Sequence, residues 1–332
     1  MVPFFLLPRL VLPILMCALW QTVAAAPAEQ TARAYPDHAI KLIVPFPPGG
    51  ATDALGRVLA NALAEKLSQP VVVENKPGAS TILAASYVVK APADGYTLLL
   101  ASNSTLTLNP ALRPALPYDP SRSFSFIGPA ARMDLAVLVK ADSPVRSLQT
   151  LLDAAAAQPG KVTYATFGVG SSVHFAAEML MASANAKMVH VPFNGSAPSL
   201  MALMGGQVDA SVDSVVAAAP FIKGGKIRAL SVLSDRRSPL LPEVPTTAEG
   251  GWQDTSLEAW FAVVAPANLP VAVKRKLEAA LQESLGSPAV KHKLLDIGLT
   301  ATPGPANAVA SRIDHELPQM RAVAARAAIK AD

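Results

Sequence analysis

Cysteine is missing from this chain beyond an N-terminal apolar stretch, where the one cysteine of 332 residues, Cys17, is found. That absence excludes disulfides, thiolate metal sites and a thiol nucleophile from the rest of the sequence. The five histidines show no HExxH or comparable spacing, so no metal and no other cofactor is expected. Aromatic residues are few, at 5%, and Lys and Arg are dispersed along the chain. A nucleic-acid binder gathers basic side chains on one face and interleaves aromatics, so the formal charge of +4 does not point to nucleic acid. A membrane-length apolar run is lacking near the N-terminus. Leu10 to Trp20 is well short of the roughly 20 residues that a spanning helix needs, and it contains Pro13.

That stretch has instead the parts of an export signal. Arg9 supplies a weak basic region, the apolar run follows, and Val23-Ala24-Ala25-Ala26 ends it in small residues before Pro27. Residues 1–26 are read as a cleavable signal peptide rather than an anchor, with cleavage after Ala25 or Ala26 and Ala28 left open. A polar tether, Pro27 to Pro36, comes next.

Strand-like and helix-like stretches then alternate. AIKLIVP (39–45) reads as a buried strand, and Leu55, Leu59, Leu63 and Leu67 mark one face of a helix. VVVE (71–74) and YTLLLA (96–101) are strands on either side of a short helix, ILAASYVVKA (82–91). The four prolines of LNPALRPALPYDPSRSF (108–124) predict a surface excursion. A second set follows: strands at 135–141, 162–166, 188–193, 207–213 and 227–234, with helices at 147–160, 172–182 and 197–206. EAWFAVVAPA (258–267) is one more strand, Pro270 opens a helix, and the helical remainder is expected to break near Gly298 to Pro305 and again at Pro318. The alternation argues for an α/β protein of parallel sheets covered by helices. The strands at 135–141 and 258–267 bracket the second set, as in a chain that leaves one lobe, builds another and returns through two hinge strands.

The strand-to-helix junctions carry the chemistry. VPFPPGGATDA, ATFGVGSSVHF (165–175) and VPFNGSAPS (191–199) each end a strand in Gly, Pro, Ser, Thr or Asn, and LLLASNSTLTLN (98–109) is similar without a glycine. In parallel α/β folds such ends lie along the carboxyl edge of the sheet, where ligands sit. A helix start offers unpaired N–H groups and the positive end of its dipole, which suits an anion. In the first junction Gly49 and Gly50 are expected to expose N–H groups, prolines 45, 47 and 48 to hold them still, and Thr52 or Asp53 to cap the helix behind. Neither a P-loop Lys-Ser/Thr nor a third dinucleotide glycine is present, so a small carboxylate fits better than a nucleotide. No Arg or Lys lies inside the four loops, which leaves neutral donors to hold the ligand.

Other readings of the same residues stand beside this one. His174 follows Ser171-Ser172 and, with Asp213, could serve a hydrolase; at the third position of a helix it is more often a packing or capping histidine. Asp213, at the end of a strand, could meet a ligand's amine or hydroxyl, whereas Asp209 on the same face reads as solvated.

Seven blocks, among them VPFPPGGATDALGR, GKVTYATFGVGSSVHFAAE, VHVPFNGSAPSLMALMGGQVDASVD and EAWFAVVAPANLP, occur in the order found in Bug-type solute receptors of tripartite tricarboxylate transporters. The chain resembles that family from about Tyr35 to Asp332. The resemblance implies a periplasmic, two-lobed binding protein of type II (venus-flytrap) architecture, monomeric and without catalytic activity, that delivers an organic acid to a two-subunit membrane permease. It places lobe 1 at 35–137 and 257–332, and lobe 2 at 138–256. It also implies that Phe46, Pro48, Gly49, Gly50, Ala51, Thr52 and Asp53 hold a ligand carboxylate together with Thr166, Gly168, Gly170, Ser171 and Ser172. Ser102, Asn103, Asn194, Gly195 and Asp213 would line the rest of the pocket. Two departures stand out: Ser80-Thr81 replaces a usual pair of glycines, and Asn194 stands where relatives often carry lysine. The ligand stays open among dicarboxylates, tricarboxylates, acidic amino acids and aromatic acids, and a periplasmic sensor would use the same pocket.

Overall fold

The computed structural model describes Met1, residues 35–253 and residues 255–330. The expected signal peptide and tether therefore lie, apart from Met1, Tyr35 and Pro36, outside the described residues.

The first lobe begins as the periodicity predicts. Strand β1 (Ile40–Val44) leads into α1 (Ala51–Leu67), whose four leucines at four-residue spacing are all buried. β2 (Val71–Asn75) and β3 (Thr97–Ser102) pair in parallel on either side of β1, with α2 (Ile82–Val89) between them in sequence. Before α2 the chain turns through Ala79, Ser80 and Thr81, all at positive φ (45°, 50° and 82°). Ser80 and Thr81, which the resemblance sets where glycines are usual, thus adopt the backbone that glycine would favour, a strained conformation for β-branched Thr81. Asn109 Nδ2 donating to Ser80 O (2.6 Å) and Thr105 Oγ1 donating to Thr81 Oγ1 (2.9 Å) hold it there.

The structure then departs from the sequence reading. The expected surface excursion begins as a buried π turn (Ser104–Leu108) that runs into α3 (Asn109–Leu112). Pro110 falls within this continuous run, and the carbonyl of Thr105, five residues before it, accepts the Tyr118 hydroxyl at 2.8 Å. The sequence reading also missed β4 (Phe124–Met133), because it contains Gly128 and Pro129. β4 pairs antiparallel with β10 (Ala259–Pro266), and register shifts flank Ala262, the partner of Pro129, so the proline lies at a bulge.

After β4 the chain changes sheets at Asp134, three residues before the boundary drawn at 137/138. The second sheet is built from β5 (Leu135–Lys140), α4 (Leu148–Ala157), β6 (Thr163–Thr166), α5 (Ser172–Ser183), β7 (Val189–Pro192), α6 (Ser196–Met204), β8 (Ala210–Ser214), α7 (Val215–Lys223) and β9 (Ile227–Val232). α7 was absent from the sequence reading, since Pro220 interrupts its pattern; the serine at its start caps it, with Ala217 N donating to Ser214 Oγ at 3.3 Å. The chain returns through β10 and closes with α8 (Val271–Gly286), α9 (Pro288–Asp296), β11 (Thr300–Ala301) and α10 (Asn307–Arg326). α10 continues through Pro318 because Ile313, Glu316 and Met320 anchor it on both sides.

The strand orders are β11-β4-β10-β3-β1-β2 and β7-β6-β8-β5-β9. Both sheets are mixed, which corrects the expectation of parallel ones. The strands β1, β2, β3 and β6, β7, β8 are parallel, while β10 runs against β3 and β5 against β8. A strand that arrives from the other lobe enters its sheet from the opposite end. The two crossovers lie side by side: Leu233 N donates to Leu135 O at 2.8 Å and Leu257 N to Leu233 O at 3.1 Å. One apolar cluster runs through this hinge, from Leu42 and Leu98 in the first sheet to Tyr164 and Val212 in the second.

A charged network the sequence did not announce occupies the hinge. Buried Arg132 donates to Asp134 Oδ1 (2.7 Å) and to Glu258 Oε2 (3.1 Å), and Arg312 donates to Glu258 Oε1 (3.2 Å) and Glu316 Oε2 (3.3 Å). Glu316 also accepts from Trp260 Nε1 and Thr107 Oγ1, each at 2.7 Å. Strand β4, both crossovers, β10 and α10 are thereby tied together.

Candidate functional site

At the end of β1, Gly49 takes φ +87°, a backbone that L side chains rarely adopt. Its N–H donates to Asp53 Oδ2 at 3.0 Å. Gly49 is therefore not the free donor expected of it. Asp53, buried in the first turn of α1, also accepts from Arg57 Nε (3.0 Å), Arg57 Nη2 (3.1 Å) and Asn75 Nδ2 (2.9 Å). Asn75 Nδ2 donates to Phe46 O as well, at 3.0 Å, so the loop is tied at both ends. The Arg57 hydrogen bonds foremost, with those from Gly49 and Asn75, hold the Asp53 carboxyl down to about 2. This group's contribution to folding is thus complete above the ordinary carboxylate range and is lost only as the pH falls towards 2. The residue at the cap position is Gly50, and no side chain caps α1 among the described residues. The first-turn amides of Ala51, Thr52 and Asp53 have no carbonyl one turn back to accept them. Pro48, Gly49 and Gly50 are exposed, and Thr52 is buried behind them.

The matching junction of the second lobe, β6 to α5, is organised similarly. Gly168 and Gly170 take φ +144° and +70°. Ser171 Oγ donates to Gly168 O at 2.6 Å instead of capping α5, which leaves the first-turn amides of Ser172 and Val173 without a side-chain acceptor. Gly170 N donates to His174 Nδ1 at 3.1 Å. Because Ser171 is turned to a carbonyl and His174 Nδ1 is taken by an amide, Ser171, His174 and Asp213 do not form a nucleophile relay. The two lobes meet at this loop: a Cβ built on Gly170 would lie 2.7 Å from Leu112 Cδ1 of α3. Surface depressions of about 440 Å³ beside the start of α4 and 370 Å³ beside Glu258 and Arg312 lie away from both loops.

The remaining expected residues divide. Gly195 opens α6 at φ +109° with Asn194 exposed beside it, and Ser196 Oγ donates to Asp213 Oδ1 at 2.6 Å. Asp213 Oδ1 also takes Ser214 N at 2.7 Å, while Oδ2 is buried with no partner among the described residues. Ser102 Oγ is likewise buried and unpartnered. Asn103 is buried, and its Nδ2 donates across to Glu258 O at 3.3 Å, tying β3 to the second crossover. Arg57, Asn75 and His190, which hold the two loops, went unnoticed in the sequence; only Arg57 left a signal there, four residues after Asp53 on one helix face.

Burial raises Asp213 to about 6, against hydrogen bonds that lower it. The folded protein therefore binds this proton more tightly than the unfolded chain, a contribution complete below the ordinary carboxylate range and lost as the pH rises through about 6. Urea titrations over this range are expected to show Asp213→Asn gaining on the wild type as the pH rises from about 4 to 7. A stability difference independent of pH would contradict the burial of an ionisable carboxyl.

Among the described residues no helix is long and apolar enough to cross a membrane, and no group of three or more His, Cys, Asp or Glu is placed to hold a metal.

The sequence and the fold recur in known proteins. Residues 55–327 match the family described as the tripartite tricarboxylate transporter family receptor, TctC. A UPF0065 protein from the tcbD-tcbE intergenic region of Pseudomonas sp. strain P51 is 38% identical over 288 residues, 86% of this chain and 85% of that protein. BugT of Bordetella pertussis is 36% identical over 284 residues, 84% and 87% of the two chains. An adipate-bound protein of R. palustris superposes with a TM-score of 0.81 at 32% identity, over 89% of this chain and 99% of the other. MatC of Rhodopseudomonas palustris with bound malate gives 0.76 at 30% identity, over 87% and 99%. The matched family is one of transporter receptors, and this chain belongs to it, as a Bug-type receptor of the tripartite tricarboxylate transporter (TctC) family.

Proposed function

We propose that this protein captures a small carboxylate in the periplasm, between its two lobes, and delivers it as a monomer to a two-subunit membrane permease. One observation carries the reading. The helices α1, α5 and α6 begin directly after Gly-containing junctions at the ends of the parallel strands β1, β6 and β7, and no side chain caps their first-turn amides. Uncapped first-turn amides at a sheet's carboxyl edge are suited to an anion supplied from outside.

The ligand is a dicarboxylate, tricarboxylate, acidic amino acid or aromatic acid. Adipate and malate in the two related structures, both dicarboxylates, support the first class. Asp53 neutralises Arg57, so the grip falls to neutral donors. Hydrogen bonds to a charged group contribute about 1.5–3 kcal/mol each, and association costs several kcal/mol. Five or six donors then give a micromolar complex, near about −8 kcal/mol.

A thermal-shift screen against small carboxylic acids tests this. An acid present at about a hundred times its Kd adds about 2.7 kcal/mol of stability and raises Tm accordingly. No response to any acid, together with a response to sugars or cations, would overturn the reading.

A further inference from the structure

Buried His174 and half-buried His190, beneath the 166–172 loop, are left unused by the ligand reading. His174 of α5 and His190 of β7 stack with ring centroids 3.9 Å apart and planes 21° from parallel, and Tyr164 of β6 stacks on His190 at 5.0 Å. Each imidazole places one ring nitrogen on the loop. Nδ1 of His174 accepts the Gly170 N–H at 3.1 Å, and Nε2 of His190 shares a hydrogen bond of 2.7 Å with Thr166 Oγ1. Thr166 Oγ1 lies 3.3 Å from both the amide nitrogen and the carbonyl oxygen of Gly168. The two rings thus reach Thr166, Gly168 and Gly170, directly or through one hydroxyl.

Those are the positions where this loop most needs holding. Two glycines at positive φ have a large conformational freedom to lose, and nothing in their own side chains restricts it. The amides of Ser172 and Val173 keep their direction only if the preceding residues are fixed. Both rings are neutral: burial, helped by its neighbour His190, pushes His174 down to about 3, and burial pushes His190 down to about 4. With Nδ1 of His174 accepting, its proton resides on Nε2, which faces Glu178 Oε1 at 3.8 Å, while Glu178 takes the Tyr164 hydroxyl at 2.7 Å.

We propose that His174 and His190 are positioning residues of the lobe 2 ligand loop, each acting through a single ring nitrogen. This rests on reading 166–172 as a ligand loop, but the holding of the loop is measurable without a ligand.

Side-chain amides separate the two nitrogens, since asparagine reaches the place of Nδ1 and glutamine that of Nε2. In hydrogen–deuterium exchange of the full chain, followed by mass spectrometry on peptides covering residues 166–172, His174→Asn keeps the loop protected. His174→Gln loses that protection, with exchange up to about tenfold faster, as expected for one net hydrogen bond. The order reverses at the other ring: His190→Gln keeps protection and His190→Asn loses it. Urea unfolding accompanies each variant, because simple packing would make asparagine and glutamine equally damaging at one position. Titration calorimetry with L-malate supplies the functional arm, with affinity following loop protection across the four variants. Equal loop exchange in the asparagine and glutamine variants of either histidine overturns the proposal. Should a variant not fold, the imidazole 15N shifts of the wild type decide, with a bare Nδ1 on His174 expected and a protonated one overturning it. A wild-type protein indifferent to malate counts against that acid as the ligand, and the exchange pattern still decides the role of the histidines.

Discussion

Replacing Gly50 by valine is expected to leave the fold intact and to weaken carboxylate binding about tenfold or more, a loss of about 1.4 kcal/mol. Gly50 has φ −86° and ψ 172°, an extended backbone that valine adopts readily, and a Cβ there would meet nothing within 4 Å. The protein itself therefore does not object to the side chain. A ligand does, since the new methyl groups stand in the open space before the amides of Ala51 and Thr52. Gly49→Val is the control: at φ +87° it strains the backbone and is expected to lower Tm whatever its effect on ligand. Calorimetry with the acid identified by thermal shift, alongside melting curves, separates the two. Undiminished affinity in Gly50→Val would remove the 46–53 loop from the site.

The largest effect on stability is expected at Arg132→Met, which should destabilise the protein by about 3–5 kcal/mol in urea unfolding. The Arg132 and Asp134 side chains are 5% and 7% exposed, and the pair sits where the chain passes from one sheet to the other. Removing the guanidinium leaves the Asp134 carboxylate buried and Glu258 with fewer donors, and desolvation of an unpaired charge outweighs the packing that methionine restores. Adding Asp134→Asn to Arg132→Met should recover much of the loss, because the uncompensated charge is then gone; the coupling is read from a double-mutant cycle. A loss below about 1 kcal/mol would mean that water reaches the pair and that the network contributes little to holding the hinge.

Both expectations turn on arrangement more than on residue type, and this divides what was legible in advance from what was not. The strands at 40–44, 71–75, 97–102 and 163–166 and the helix at 51–67 were readable because local apolar periodicity and burial agree there. β4, α7 and the unbroken α10 were misread for one reason. Pro129, Pro220 and Pro318 are breakers in isolation, but a bulge against β10 accommodates the first, and α7 and α10 continue through the other two. Long-range pairing outweighed local propensity at each.

The site divides in the same way. The Gly- and Pro-containing junctions marked the uncapped helix starts to which the proposed function assigns the ligand. Which amides remain free was invisible, because that depends on Asp53 reaching back to Gly49 and on His174 taking the Gly170 N–H. By itself the sequence determined the α/β class, the return of the chain through a two-crossing hinge and the family, all of which rest on local pattern and block order. Tertiary structure alone decided the donor set, the neutral state of the two imidazoles and the ion network at the hinge. Each of these depends on desolvation and on partners distant in sequence, which no local pattern records.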